Sequence, residues 1–485
     1  MFRTVRPSRV SNIHQQIRCQ STLPPSIKSL FKNPPDIDSK LTINGYIKSI
    51  RQLKKIAFLD LSDGSHHDNL LCVLSPDQIN GLKTGQSIQL TGSWIKSKGK
   101  EQAYEFKILS GLDNVKLIGD VREDFPLQKK AHTLQYLRTL NTLRWRTSYL
   151  SSILRFRSFV DTKLHEFFQK ENFFKTNPPI ITGSDCEGAG ELFQIESKSV
   201  LDDSKDQSPF FGKNAYLTVS TQLHLEVMSA ALGNVWTLSP IFRAEASDTN
   251  RHLSEFWMLE GEMPYVEDVH QITRFTEKMI KHVVKELVND ADQAGTNLIK
   301  GNKYSEEAGS KSMTLQEKWN LLYENEWASI TYKESLEILR ASGKEFKHLV
   351  KYEDGLATEH EKWLAGEYFK SPVFVTDYPK EMKPFYMKEN PDGETVACFD
   401  LLVPEVGEII GGSLREHDLE KLTSTINERN MKIDELKWYL SLRENSTAPH
   451  GGFGLGFERL ICYLANVENV RDVVPFPRSH EECSS

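Results

Sequence analysis

Between residues 242 and 256 the chain reads FRAEASDTNRHLSEF. Arg243 and Arg251 are eight residues apart; Glu245 follows the first, and His252 and Phe256 follow the second. An arginine fork binds phosphate through two parallel hydrogen bonds and does not lose its charge. Two fixed cations, a carboxylate and an aromatic ring are more than a surface hairpin needs. The alternative is an exposed charged turn with scattered salt bridges, which is the better reading of any random charged stretch. The decision rests on the rest of the chain. Glu408 in GEIIGG precedes Gly411 and Gly412, and Arg459 follows a glycine run in GFGLGFERL. Glycine lets a backbone come close to a ligand. Asp400 in CFDLL offers a second hard oxygen ligand, or simply caps a turn.

These residues need elements to hold them. From Leu143 to Glu171 apolar residues recur at helical spacing, among them Leu150, Ile153, Phe156, Val160, Leu164 and Phe168. Asn172 and then Asn177-Pro178-Pro179 stop the helix. Helices are also expected over 267–290, 357–370 and 418–433, with a polar region between 291 and 355. LTVSTQL, VWTLSPIFRAE, EFWMLEGEM, SPVFVTDY, TVACFDLLVP and GEIIGGSLR read as strands of one large, mostly antiparallel sheet. Nearer the N-terminus, LTINGYIKSI, KIAFLDLSD, NLLCVL, SIQLTGSWIK and YEFKILS are five short alternating runs separated by turn residues. Five strands in about 80 residues suit a small barrel of the OB type, which takes single-stranded nucleic acid. The expected class is therefore α+β: a barrel over 36–118, a linker with a short helix over 119–143, and a large domain over 144–485 carrying a mainly helical insertion at about 265–370.

The chain has 485 residues, 39% hydrophobic and 26% charged, with a formal charge of −7. Residues 40 to 118 hold 11 Lys and Arg against 7 Asp and Glu, so a modestly basic small domain stands beside an acidic large one. No apolar run approaches a membrane span. Six cysteines are scattered without a C-x-x-C pair, which argues against both a zinc knuckle and a disulfide framework. The first 35 residues hold no acidic residue but carry Arg3, Arg6, Arg9, Arg18, Lys28 and Lys32 among Ser and Thr. That composition reads as a mitochondrial transit segment and disordered lead. There is no internal repeat, P-loop or dinucleotide fingerprint.

FRAE followed by RHLSEF is similar to the second signature of class II aminoacyl-tRNA synthetases; GFGLGFERL resembles the third, and the helix ending in NPP the first. SDCEGAGELF, FFGKNAYLTVSTQL, EFWMLEGEM, FYMKENPDGETVACFDLLVPEVGEIIGGSLRE and PHGGFGLGFERLICYLANVENVRDVVPFPR together resemble the asparaginyl members of the aspartyl, asparaginyl and lysyl subclass, over about 40 to 480. The resemblance implies an antiparallel class II sheet flanked by helices, a homodimer, and an OB-fold that reads the anticodon. It implies ATP, L-asparagine and tRNA(Asn) as substrates, Mg²⁺ held with ATP and no zinc, and work in the mitochondrial matrix.

By the family pattern Arg243 meets the α-phosphate and the amino-acid carboxylate, while Arg251 and Arg459 clamp the β- and γ-phosphates. Glu245 accepts from the adenine amino group, Phe256 stacks on the ring, and His252 joins the ATP set. Glu408 and Asp400 are the Mg²⁺ candidates. Glu187 in SDCEGAG would pair with the substrate ammonium, with Ser220 and Gln222 of VSTQL in the same pocket. In KKIAFLDLSDGS, Phe58 beside Lys54 and Lys55 suits an unstacked base; Phe58 as barrel core, alternating with Ile56 and Leu59, is the other reading.

Aspartyl members carry a lysine in an S-x-Q-L-x-K pattern. Here that position holds Leu225. Glu260, left without that lysine, is expected to accept from the asparagine NH₂ group and to repel aspartate, with Arg415 donating to the amide oxygen. Glu262, two residues along the same strand face, competes for the role. A silent RNA-binding relative would be expected to lack ATP residues, yet Arg243, Glu245, Arg251, Glu408 and Arg459 are all present. An asparagine synthetase on the same fold would have no need of the basic β-domain.

Overall fold

The computed structural model describes residues 23–99, 102–183, 192–196, 209–247, 249–289, 298 and 314–483. The chain divides into two compact units, Met1–Tyr136 and Leu137–Ser485.

The first unit begins with α1 (Ile27–Lys32). Strands β1 (Lys40–Gln52), β2 (Ala57–Ser62), β3 (Leu70–Leu74), β4 (Ser87–Lys96) and β5 (Tyr104–Ile108) follow the five expected runs. They join in the order β1-β2-β3-β5-β4, and β1 pairs again with β4, which closes the barrel. Closure leaves no edge in the ring. Inward positions alternate along each strand: Ile43 and Ile47, Ala57, Leu59 and Leu61, Leu70 and Cys72, Ile88, Leu90 and Trp94, Phe106. A sixth strand, β6 (Val115–Gly119), pairs with the first half of β4. One expectation needs correcting. The acid-free lead does not stay outside the fold as far as residue 35: Ile27 and Leu30 of α1 are buried in the barrel core. Asp63 accepts from the Ile27 amide at 2.7 Å and fixes the helix start. The short helix in the expected linker is α2 (Leu134–Arg138).

The second unit is built on an eight-stranded sheet. Long α3 (Ser148–Lys170) leads into edge strand β7 (Phe174–Lys175). The small strands β8 (Ile181–Thr182), β9 (Gln194–Ile195) and β10 (Ala215–Leu217) form a separate three-stranded sheet. Next come α4 (Gln222–Leu232), β11 (Val235–Phe242), β12 (Glu255–Pro264) and α5 (Val269–Val288). Beyond lie α6 (Leu315–Glu324), β13 (Ala328–Thr331), α7 (Tyr332–Ala341) and α8 (Thr358–Trp363). The chain continues through β14 (Val373–Pro379), β15 (Thr395–Val403), β16 (Gly407–Leu414), α9 (Leu419–Glu428) and α10 (Ile433–Glu444), then ends with β17 (His450–Gly456) and α11 (Phe457–Ala465). The large sheet runs β13-β14-β15-β16-β17-β12-β11-β7. Its six inner strands are antiparallel, and the two edge strands pair in parallel. Helix α5 buries Val269, Ile272, Thr276, Met279, Val283 and Leu287 at three- and four-residue spacing. Asp268 caps it, accepting from the His270 amide at 2.9 Å.

LTVSTQL was expected to be one strand. Of its seven residues only Leu217 is strand, the last of β10, and a helix starts at Gln222. Glu260 pins the turn by accepting from the amide of Thr221 at 3.0 Å. The expected mainly helical insertion also gives the main sheet a strand, β13 against β14. α10 lies beyond the helix expected at 418–433. Its buried face is Leu436, Tyr439, Leu440 and Arg443, and the arginine at a core position hides the apolar period.

Candidate active site

β11 and β12 form a hairpin whose connecting loop carries Arg243 to Ser254. This loop, β16 and the start of α11 enclose one cleft. Arg243, Glu245, Arg251, His252, Phe256, Glu408 and Arg459, the whole expected ATP set, line it. The Arg243 guanidinium stands 5.8 Å from the Phe256 ring centroid, and its Nη1 is 3.9 Å from Glu245 Oε1. Arg251 Nη1 donates to Thr358 Oγ1 at 2.6 Å and lies 3.6 Å from Glu361. Arg459 Nη1 donates to the Glu408 carbonyl at 3.2 Å. Burial lowers the Arg251 pKa, and the nearby Arg459 charge lowers it further. His252 is shifted down by burial and then by the same arginine. Two close guanidiniums partly deprived of water form a site prepared for a polyanion.

A second cavity opens from the first. Arg243, Met258, Glu408 and Gly454 belong to both. Its walls include Ser220, Gln222, Glu260, Asp400 and Arg415 from the expected set, Glu262, the competitor of Glu260, and Lys383 from outside both. Glu260 and Glu262 lie on one face of β12, two residues apart. Arg415 pairs with Glu262 and not with Glu260. Arg415 donates through Nε and Nη2 to Glu262 at 3.1 and 2.9 Å, and through Nη1 to Ser413 at 2.7 Å. Glu260 instead accepts from the Ser220 hydroxyl and from the amide and hydroxyl of Thr221. Its oxygens thus hold the turn into α4, while the residue also lines the cavity. Burial raises the Glu260 pKa against these hydrogen bonds, and burial also raises that of Glu262 against Arg415. Gly452 makes the Glu262 position possible, because a Cβ there would overlap the Glu262 carboxylate and the Gly261 carbonyl.

Asp400 and Glu408 face each other across Gly411. A Cβ on that glycine would stand 3.4 Å from Asp400 Oδ1 and 3.5 Å from Glu408 Oε1. The other Asp400 oxygen, Oδ2, accepts from Lys383 at 2.7 Å. Two hard carboxylate oxygens converging on a space kept open by glycine fit a Mg²⁺ ion. Glu361, on α8, accepts from the Glu408 amide at 3.1 Å. Burial and then the Glu408 charge push its carboxyl up to about 7. Sequence reasoning missed Glu361 and Lys383. Both lie in charged stretches, TEHEK and PKEMK, with nothing to mark which residue turns inward. Glu187 lies outside the described residues.

In the barrel unit, Ala57, Leu59 and Leu61 point inward while Phe58 is half-buried on the outer face. Arg51 lies 5.0 Å from its ring centroid, and Lys54 and Lys55 are exposed in the β1–β2 turn. This excludes Phe58 from the barrel core.

Residues 134–480 match the family described as tRNA synthetases class II (D, K and N), and residues 41–110 the OB-fold nucleic acid binding domain. The mitochondrial asparagine–tRNA ligase of Saccharomyces cerevisiae is 50% identical over 476 residues, 94% of this chain and 96% of the yeast one. The chain belongs to the asparagine–tRNA ligase family of class II synthetases. Within the family, the asparagine–tRNA ligase of Microcystis aeruginosa is 42% identical, over 93% of this chain and 98% of its own. The crystal structure of asparaginyl-tRNA synthetase from Pyrococcus horikoshii complexed with asparaginyl-adenylate is similar at a TM-score of 0.81 and 28% identity, covering 95% of this chain and 99% of that one. Family membership accounts for both the class II sheet and the N-terminal barrel.

Proposed function

We propose that the protein joins L-asparagine to tRNA(Asn) in two steps within the mitochondrial matrix. The observation that carries this reading is the junction of two cavities at Arg243 and Glu408. In the first step the asparagine carboxylate attacks the α-phosphorus of ATP. The new bond is the acyl phosphate of asparaginyl-adenylate, and the bond to diphosphate breaks. In the second, a terminal ribose hydroxyl of the tRNA attacks the acyl carbon and AMP leaves. The attacking carboxylate is already ionised, so the first step needs positioning and charge, not a general base.

Arg243 sits where the two cavities meet and is the cation for the α-phosphate and the substrate carboxylate. Arg251 and Arg459 take the β- and γ-phosphates; Glu245 and Phe256 take the adenine, with His252 beside them. Asp400 and Glu408 would hold Mg²⁺, which when bound supplies positive charge to the triphosphate. Arg415, oriented by Glu262 and Ser413, donates to the side-chain amide oxygen, while Ser220, Gln222 and Glu260 shape the wall around it. Glu187 is proposed for the substrate ammonium.

The barrel reads the anticodon through Phe58, Lys54 and Lys55. The acid-free, arginine-rich N-terminus and the similarity to a mitochondrial relative support the location. A homodimer is the family expectation, and the edge strand β7 with its exposed Phe174 accords with it. No described helix is long and apolar enough to cross a membrane.

The test is aminoacylation of mitochondrial RNA with each of the twenty amino acids, alongside amino-acid-dependent exchange of diphosphate into ATP. Asparagine alone should support both. Charging with aspartate in preference to asparagine would replace this reading with the aspartyl one, against which Leu225 speaks.

A further inference from the structure

Behind the asparagine pocket lies a buried polar cluster that the reaction as described does not use. Its centre is Glu226 on α4, fully buried and absent from the cavity wall. Glu226 accepts from Arg443 Nη2 at 2.7 Å, Tyr439 OH at 2.8 Å and Gln222 Nε2 at 3.1 Å. His450 Nε2 is 3.0 Å away, and Arg415 Nε is 4.0 Å away. Glu226, Glu262 and His450 are spaced as metal ligands could be. Arg415 and Arg443 already meet the two carboxylates there, so the cluster is a charge-balanced network and needs no ion.

The balance can be read group by group. Arg415, whose guanidinium faces the substrate cavity, is matched by Glu262. Arg443, with no exposed side-chain surface, is matched by Glu226. His450 spans Glu226 and the Ala448 carbonyl, its Nδ1 lying 2.8 Å from that oxygen. Burial pushes the Glu226 carboxyl up, but Arg443 and His450 outweigh it and hold the pKa well below the usual carboxylate range. The carboxylate therefore stays ionised. Removing the Glu226 charge leaves Arg443 unmatched, and Arg415, whose Nε is 4.0 Å from Glu226, passes that change to the pocket.

We propose that Glu226 is a specificity-determining residue that acts through Arg415. Its buried charge cancels that of Arg443 while Glu262 matches Arg415, so the pocket offers Arg415 as a compensated cation. Such a cation suits the neutral amide of asparagine and discriminates against the carboxylate of aspartate. The inference rests on reading this cavity as the asparagine site. Asparagine and aspartate are nearly isosteric, so shape alone separates them poorly. A difference of one charge is what a buried field resolves.

The experiment measures binding of non-hydrolysable asparaginyl- and aspartyl-adenylate analogues to wild type, Glu226→Gln, Arg443→Met and the double variant Glu226→Gln/Arg443→Met. The ratio of the two affinities is the readout. In Glu226→Gln the ratio should move toward the aspartyl analogue by about tenfold, the scale of one uncompensated charge at an effective dielectric constant near 20. Arg443→Met should move it the other way. The double variant should return it to the wild-type value, because removing both partners restores the balance. A purely structural role weakens both analogues together and leaves the ratio unmoved, which overturns the inference. If Glu226→Gln does not fold, the contrast between Arg443→Met and the double variant carries the same test, and equal ratios there refute it. A wild type that prefers the aspartyl analogue refutes the functional reading instead; the direction of the shift between variants still decides the role of Glu226.

Discussion

Replacing Glu361 with glutamine tests the electrostatics on the triphosphate side of the cleft. An ordinary glutamate titrates near 4.5, and burial followed by the Glu408 charge pushes Glu361 up to about 7. Arg251, 3.6 Å away, opposes the shift without cancelling it. A rise of this size corresponds to about 3 kcal/mol of linked free energy. The sign follows from which form the fold prefers. A carboxyl whose folded pKa is raised is favoured protonated, so its contribution to stability is complete below about 4.5 and lost as pH climbs through about 7. Glutamine, neutral at every pH, escapes that loss. The gap in stability between Glu361→Gln and wild type should therefore widen in favour of the variant between pH 5 and pH 8. For a unit of this size, about 3 kcal/mol is a shift of about 4 °C in melting temperature. Thermal melting of both proteins at the two pH values, in chelator so that no metal occupies the carboxylates, measures it. An identical gap at pH 5 and pH 8 would show that Glu361 is ionised as freely as a surface glutamate, and the burial argument would fail.

Arg243→Ala should lower asparagine-dependent diphosphate exchange by about 10² to 10³, the usual loss for one transition-state donor, with an unchanged melting temperature; near-normal exchange would remove Arg243 from the α-phosphate. Lys54→Gln/Lys55→Gln should weaken tRNA binding and reduce the slope of log affinity against log salt by about 2, as two phosphate contacts are lost; an unchanged slope would move the RNA to another face. Gly452→Ala should raise the KM for asparagine at least as strongly as that for ATP, because the new Cβ displaces the Glu262 carboxylate that orients Arg415. Kinetics with each substrate varied in turn would expose the opposite pattern.

Much of this molecule is legible in its sequence. The five barrel runs alternate cleanly because one face of each strand is core, and all five became strands. The ATP residues cluster in short signatures, so one hairpin and one strand–helix turn deliver nearly all of them to a single cleft. What escaped has a common cause. Glu226 and Arg443 are charged residues at buried positions and Glu361 is half-buried, whereas polarity in a sequence argues for the surface. Arg443 in α10 interrupts the apolar spacing that would have announced the helix. Nothing in LTVSTQL marks the turn into α4, because that turn is enforced by Glu260, some forty residues away.

The choice of Glu262 over Glu260 as the partner of Arg415 shows where pattern reasoning stops. Alternation along β12 puts both carboxylates on one face and says nothing of what stands opposite. The register does. Glu262 lies across from Gly452 on β17, and Gly452 lies across from Ser413 on β16. Glu260 lies across from Gly454, which faces Gly411. Arg415 is two residues beyond Ser413, so it is near the row that holds Glu262 and a further pair of residues from the row that holds Glu260. Two strand spacings are about 10 Å, a span a glutamate and an arginine can bridge only if the strand between them carries no side chain in the way. Gly452 supplies that gap. Glu260, one row along, falls instead beside Ser220 and Thr221, where the same missing side chain at Gly454 leaves space for the cavity. A glycine run at 451, 452 and 454 thus sets which carboxylate orients the recognising arginine and which lines the wall, in a contact that joins residues 153 positions apart in the chain.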